Sequence, residues 1–156
     1  MKLLFKQRIF SWLDSYDIYD QYGNTVFTVE GKLSWGHMLH IMDNHGNHIA
    51  TVKEVVLTFL PRFELYVGEE HIGTIEKRFT LFKPSYLIDF NGWNIEGDFF
   101  EWDYTIEDAS RKTVAVIGKE VLHLSDTYTI EVANDRDAIY VLMVTLAIDA
   151  EKCSRN

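Results

Sequence analysis

Hydrophobic and polar residues alternate along most of the chain, and turn-forming residues interrupt this alternation at short intervals between residues 15 and 130. The segments 16–30 and 39–53 are similar to each other at an offset of 23 residues, with six of fifteen positions identical. In each segment, an Asp at the first position of a turn and a Gly at the fourth favour a type I turn that closes a β-hairpin with a bulge. The two turns are Asp20–Gly23 and Asp43–Gly46.

More turns are predicted farther along the chain. Gly68-Glu69 can close a third hairpin, and Asn91-Gly92 is the strongest short hairpin signal in the sequence. A further turn fits Asp108 to Arg111, just before an alternating apolar segment. Short strands separated by turns at this spacing are typical of an antiparallel sandwich or barrel.

The C-terminal segment breaks the alternation. From Ala138 to Ala150, eleven of thirteen residues are apolar, and neither Gly nor Pro occurs. This pattern predicts an α-helix at about residues 135–152, capped by Asn134 or Asp135, with apolar side chains on every face. Thirteen helical residues span about 20 Å, against about 30 Å for the hydrocarbon of a bilayer, so we expect the helix to be buried in protein.

These two patterns together predict a mainly β fold, a closed antiparallel β-barrel wrapped around its own C-terminal α-helix. The barrel would comprise residues 1–133, and the whole chain, 1–156, would form a single domain. A barrel of this kind leaves few open sheet edges, and the helix fills its interior.

Composition and charge narrow the possible functions. The chain has 24 acidic and 15 basic residues, a formal net charge of −9, which argues against nucleic-acid binding. A lone cysteine excludes a disulfide framework and a cysteine-based zinc site. The first apolar run is too short for a signal peptide, and no lipidation motif is found. We therefore expect a cytoplasmic protein with no transmembrane segment and no cofactor.

Six short segments carry a recognisable pattern spread over nearly the whole chain: Lys6–Ser11, Val29–Lys32, Phe82–Tyr86, Ile95–Phe99, Asp126–Tyr128 and Leu146–Ala150. In their residues and their order, they resemble the LURP-one-related family of the tubby C-terminal-like superfamily, including its short bacterial members of the YxjI type. The resemblance implies a barrel of about 12 strands around a central helix, and it implies no catalytic residue. Other branches of the superfamily imply a link to lipids, since tubby domains bind phosphoinositides and scramblases act at membranes.

Two clusters of polar residues are possible sites. Four histidines within one predicted hairpin could bind zinc or nickel, but the repeat assigns most of them to exposed strand and turn positions, so no metal site is predicted. An acidic group lacks the spacing of a calcium loop and alternates with apolar residues like a solvated strand. No nucleophile elbow or phosphate-binding loop occurs, so we expect no enzyme. The clusters comprise His37, His40, His45 and His48, and Glu96, Asp98, Glu101, Asp103, Glu107 and Asp108.

One basic patch, Lys77–Lys83, interleaves cations with aromatic residues. Its cations Lys77, Arg78 and Lys83 are candidate ligand-binding residues, because they could hold a phosphate or an anionic headgroup. The competing interpretation is a strand whose phenylalanines face the core. We therefore expect a non-catalytic binding or scaffold domain for an unidentified ligand or protein. Two alternatives stay open: anionic-lipid binding with weak membrane-surface association, and an enzyme that uses the acidic group.

Overall fold

The computed structural model of the protein describes residues 1–6, 15–99, 101–120 and 127–153, so parts of the first and fifth matching segments lie outside the described residues. Within these ranges, twelve β-strands precede a 3₁₀ turn and one α-helix, α1. The strands are β1 (Lys2–Lys6), β2 (Ser15–Asp20), β3 (Thr25–Lys32), β4 (Met38–Asp43), β5 (His48–Glu54), β6 (Arg62–Val67), β7 (Glu70–Arg78), β8 (Ser85–Ile88), β9 (Asn94–Asp98), β10 (Asp103–Glu107), β11 (Thr113–Glu120) and β12 (Thr127–Val132). The 3₁₀ turn spans Asp135–Asp137, and α1 spans Ala138–Cys153.

All twelve strands belong to one antiparallel sheet in the order β8-β7-β6-β5-β4-β3-β2-β1-β12-β11-β10-β9. The first strand joins the two halves of the sheet, because Leu3 is opposite Ile130 of β12 on one side and Asp20 of β2 on the other. The end strands β8 and β9 contact each other, but among the described residues no ladder of backbone hydrogen bonds connects them. The predicted barrel around a helix is therefore confirmed, with one seam where closure is incomplete.

The two repeated turns form as the sequence predicts. The Asp20 carboxylate accepts the backbone N–H groups two and four residues farther on, at 2.8 and 2.9 Å, and Gly23 has a positive φ of 85°. Asp43 and Gly46 reproduce this geometry, with a φ of 81° at the glycine. A register shift follows in each hairpin, which is the predicted bulge.

The turn at Asn91-Gly92 differs from its prediction. Both residues adopt positive φ, 54° and 64°, as a type I′ turn requires, but the strands on either side do not pair. The rings of Phe90 and Trp93, which flank the turn, pack instead on Tyr140 of α1, at centroid distances of 6.4 and 6.5 Å. Packing against the helix thus replaces the expected hairpin ladder and leaves the seam between β8 and β9.

The central helix is buried on all sides, as predicted. Four consecutive residues, Val141 to Val144, have no exposed surface. Since one helical turn takes about 3.6 residues, the side chains of these four residues cover every side of the helix. The α-helix begins three residues later than predicted, because Asp135–Asp137 form a 3₁₀ turn capped by the Asn134 side chain. Among the described residues, no helix combines the length and hydropathy needed to span a bilayer.

The two ends of the barrel differ, because an antiparallel meander places every second connection at the same end. The hairpin end carries short turns, such as those at Asp20–Gly23 and Asp43–Gly46, and the start of α1. Among the described residues, the loop end carries the connections 33–37, 55–61 and 79–84, the shorter link between β9 and β10, and the last turn of α1.

We expect Leu142→Asp to abolish cooperative folding, because it places an unpaired carboxylate in the fully buried centre of the barrel. The matched control is Val116→Asp, the same chemical change on the outer face of β11, which should shift the melting temperature by only a few degrees. Thermal unfolding followed by circular dichroism measures both effects. Equal melting temperatures for the two variants would show that Leu142 is not enclosed.

Candidate functional site

The structure divides the three candidate cations into two groups. Lys77 lies on β7, two residues after the buried Ile75, so its side chain points into the barrel, and the residue is only 8% exposed. Arg78 and Lys83 are exposed to solvent at the loop end. An external ligand can therefore reach Arg78 and Lys83 directly, whereas the side chain of Lys77 is enclosed in the barrel.

Lys77 forms a buried ion pair with the central helix. Its Nζ atom donates to Oε1 of Glu151 at 2.7 Å, and the hydroxyl of Tyr86 on β8 donates to the other carboxylate oxygen, also at 2.7 Å. Glu151 is 1% exposed, so both oxygens of its buried charge are matched by donors. Removing either donor would leave the carboxylate of Glu151 short of hydrogen-bond partners at a buried position.

The last turn of α1 also contacts the opposite side of the seam. Lys152 donates from Nζ to the backbone oxygen of Phe99, just after β9, at 2.6 Å, and lies 4.5 Å from the ring centroid of Trp102. The rings of Tyr86 and Phe99 meet edge-to-face across the seam with their centroids 5.0 Å apart. Side chains, rather than a backbone ladder, thus hold β8 and β9 together around the end of the helix.

Asp149 is a further ionisable residue at this end of the barrel. It is 3% exposed, and burial raises the pKa of its carboxyl to about 7, while nearby Lys152 acts in the opposite direction. The raised pKa means that Asp149 gains a proton near neutral pH, where an exposed Asp would be fully charged.

The outer surface beside Arg78 and Lys83 contains an open cleft of about 260 Å³, lined by Leu60 and residues 77–84. Phe79 and Phe82 of this segment are 80% and 94% exposed. The interpretation that placed these phenylalanines in the core is therefore wrong, because β7 ends at Arg78 and the following loop extends away from the barrel.

Two neighbouring loops expose further apolar side chains that the sequence reasoning did not single out as functional. Leu33 and Trp35 follow β3, and Leu57 and Phe59 follow β5. A signal was present in the sequence, because segments 33–37, 55–61 and 79–84 contain no Asp or Glu in a strongly acidic chain. The loop end therefore presents apolar and basic side chains together.

Both polar clusters reach the loop end. His37 lies in segment 33–37, and Glu96, Asp98 and Asp103 line a cleft that also contains Lys83. The rings of His40 and His48 stack at 4.0 Å, burial lowers the pKa of His40, and His45 lies in an exposed turn. In the acidic group, Asp98 and Asp103 are opposite each other on exposed positions of β9 and β10. Within the described residues, no three His, Cys, Asp or Glu side chains are grouped so that they could hold a metal ion.

Comparison with known proteins assigns the family. The model of the LURP-one-related family matches residues 1–149. The chain belongs to the LURP-one-related family. It is similar to YxjI of Bacillus subtilis (strain 168), with 27% identity over 150 residues, covering 96% of this chain and 92% of that protein. An X-ray structure of a protein from Arabidopsis thaliana shares the fold, with a TM-score of 0.62, 13% identity and coverage of 95% and 91%.

In this LURP-one-related chain, we expect Lys77→Met to lower the free energy of unfolding by about 3–5 kcal/mol, because Glu151 would be left buried without its cation. Adding Glu151→Gln should recover part of the loss. The matched control is Lys53→Met at an exposed position of β5, which should change stability by less than about 0.5 kcal/mol. Urea unfolding measures all three variants. Equal losses for Lys77→Met and Lys53→Met would contradict the buried pair.

The pKa of Asp149 predicts a pH-dependent stability. Since its folded pKa is about 7 and its ordinary value is 3.8, the folded state binds more protons between these limits, and stability falls as pH rises from 4 to 7. The neutral Asp149→Asn variant lacks this loss, so it should exceed the native protein by up to about 4 kcal/mol at pH 8.

The difference between Asp149→Asn and the native protein should nearly vanish at pH 4, where the native carboxyl is protonated in the folded state. Urea unfolding at both pH values is the measurement. The control is Asp103→Asn, which removes an exposed carboxylate of β10. A stability difference for Asp149→Asn that is the same at pH 4 and pH 8 would show that the folded pKa is not raised.

Proposed function

We propose that the protein is a non-catalytic binding domain that takes its ligand on the outer surface of the loop end. The observation that carries this proposal is the filled interior: the side chains of α1 occupy the barrel, so a ligand of any size must bind outside. The loop end offers the cleft of about 260 Å³ beside two exposed cations, Arg78 and Lys83.

An anionic headgroup is the ligand that this cleft favours. Within the described residues, neither Arg78 nor Lys83 has a carboxylate within salt-bridge distance, so both charges are available to a ligand. Arg binds phosphate through two parallel hydrogen bonds, and Lys adds a point charge. The lipid link of the other tubby-like branches supports the same class of ligand. With two cations, the affinity for an isolated headgroup should be weaker than about 1 mM.

An enzyme that uses the acidic group has less support. Glu96, Asp98 and Asp103 line an open cleft with Lys83, but all three residues are exposed to solvent. Catalytic acids and bases usually lie where burial shifts their pKa values. The net charge of −9 supports the proposal that no nucleic acid is bound, and we keep a cytoplasmic location as part of the proposal.

The test is a titration of ¹⁵N-labelled protein with glycerol 1-phosphate, followed by NMR. We expect amide shifts concentrated at residues 78–84 and lost in the double variant Arg78→Gln, Lys83→Gln. The matched control is Arg111→Gln, Lys112→Gln, which removes two exposed cations from the hairpin end. Shifts concentrated on β9 and β10, or shifts unaffected by the first double variant, would contradict the proposed site.

A further inference from the structure

Three connections at the loop end, 33–37, 55–61 and 79–84, carry a group of exposed apolar side chains. Each is at least 80% exposed, and among the described large apolar residues only Tyr22, at the hairpin end, is comparably exposed. We call the group the apolar tips, and it consists of Leu33, Trp35, Leu57, Phe59, Phe79, Leu81 and Phe82. Four aromatic rings at this exposure present roughly 500–900 Å² of surface in total, divided among three loops, whereas the largest apolar patch of a typical soluble monomer covers roughly 300–600 Å².

Hydrogen bonds hold the connections so that the tips point outward. In segment 55–61, the hydroxyl of Thr58 donates to the backbone oxygens of Val55 and Leu60, at 3.1 and 2.7 Å. Leu57, between these anchors, has a φ of 64°, a conformation that costs energy for a residue other than glycine. In segment 33–37, the backbone N–H of His37 donates to the Glu54 carboxylate at 2.9 Å. Specific hydrogen bonds therefore fix the conformation of these two loops, and in this conformation their apolar side chains are exposed.

Basic residues, but no acidic ones, lie in or directly beside the three segments that carry the tips. Arg78 and Lys83 flank the apolar residues of segment 79–84, and segments 33–37, 55–61 and 79–84 contain no Asp or Glu. Acidic side chains border this surface on one side, where Glu96, Asp98 and Asp103 line an adjoining cleft together with Lys83. Apolar and aromatic side chains bordered by Lys and Arg are typical of protein surfaces that enter the interface of a bilayer.

We propose that the apolar tips insert into the interfacial region of an anionic lipid bilayer, with Arg78 and Lys83 contacting lipid phosphates. This inference rests on the proposed function and extends its ligand from a headgroup to a membrane surface. Successive connections are about 10 Å apart, since each is separated by two strands, so the three loops form a row about 20 Å long. They can enter the bilayer together to a depth of about 5–10 Å.

The shape of the loop end favours a bilayer over a protein partner. The tips protrude singly from three separate loops, and a fluid bilayer accepts such protrusions without a matching surface. A protein partner would need a pocket for each of them, because protein interfaces are packed as densely as protein interiors.

The experiment measures flotation of the full chain with vesicles of phosphatidylcholine and phosphatidylglycerol in a 7:3 ratio. Two double variants remove apolar tips: one combines Leu57→Ser with Phe59→Ser, and the other combines Leu81→Ser with Phe82→Ser. Each double variant should bind the vesicles at least tenfold more weakly than the native protein. The matched control is Tyr22→Ser, which removes an equally exposed aromatic ring from the hairpin end and should bind within twofold of the native protein. All these side chains are exposed, so unchanged melting temperatures verify folding.

Tryptophan fluorescence reports insertion directly. Trp35 is exposed at the tips, whereas Trp93 and Trp102 are buried in the barrel. Vesicles should shift the emission to shorter wavelength, and lipids brominated on their acyl chains should quench it. Both effects should disappear in Trp35→Phe, which assigns the signal to that residue.

Three other outcomes would each contradict insertion of the tips, and they can be told apart. Vesicle binding that depends on Arg78 and Lys83 but not on the tips, and that vanishes at 0.5 M salt, would reduce the interaction to headgroup contact and leave the proposed function intact. Absence of vesicle binding at low salt would overturn the membrane proposal, while the glycerol 1-phosphate titration still decides the proposed function. Self-association lost in the tip variants, with no vesicle binding, would assign the surface to a second copy.

Discussion

A barrel of twelve strands is too wide for its own side chains to fill, so its wall depends on whatever occupies the interior. Here the occupant is α1, and a helix with its side chains is about 10–12 Å across. The helix supplies Val141 to Val144 and later apolar residues as a continuous buried surface for the inner faces of the strands. The sheet and the helix each hide the apolar surface of the other, so neither is expected to persist alone.

The helix also compensates for the gap in the sheet. Because β8 and β9 share no backbone ladder, the seam is held by Glu151 and Lys152, which contact Lys77 and Tyr86 on one side and Phe99 on the other. Buried charges are costly, and their geometry tolerates little displacement. We infer that this polar cluster fixes the position of α1 along the barrel axis, which apolar packing alone would leave less strictly defined.

Local chemistry explains which features the sequence predicted well. The turns at Asp20 and Asp43 depend on a carboxylate and a glycine within four residues, and the helix depends on an uninterrupted apolar run. The role of Lys77 depends on Glu151, which lies 74 residues away in the sequence. The residues next to Lys77 in the sequence carry no sign of this partner, so the local pattern places Lys77 with the exposed cations Arg78 and Lys83. The interpretation of Lys77–Lys83 as a strand with core-facing phenylalanines rests on the local alternation of cations and aromatic residues, which carries no information about where β7 ends.

Lys77 and its exposed neighbours have different roles, so substitutions at these positions should have different effects on stability. Lys77 is part of the seam, so replacing it changes the stability of the whole barrel. Arg78, Lys83 and the apolar tips lie outside every strand ladder except at the last residue of β7, so changes there leave the pairing of the sheet intact. A rigid barrel that carries variable loops can change its ligand without changing its fold. The filled interior thus leaves the loop end as the place where binding can be adjusted independently of stability.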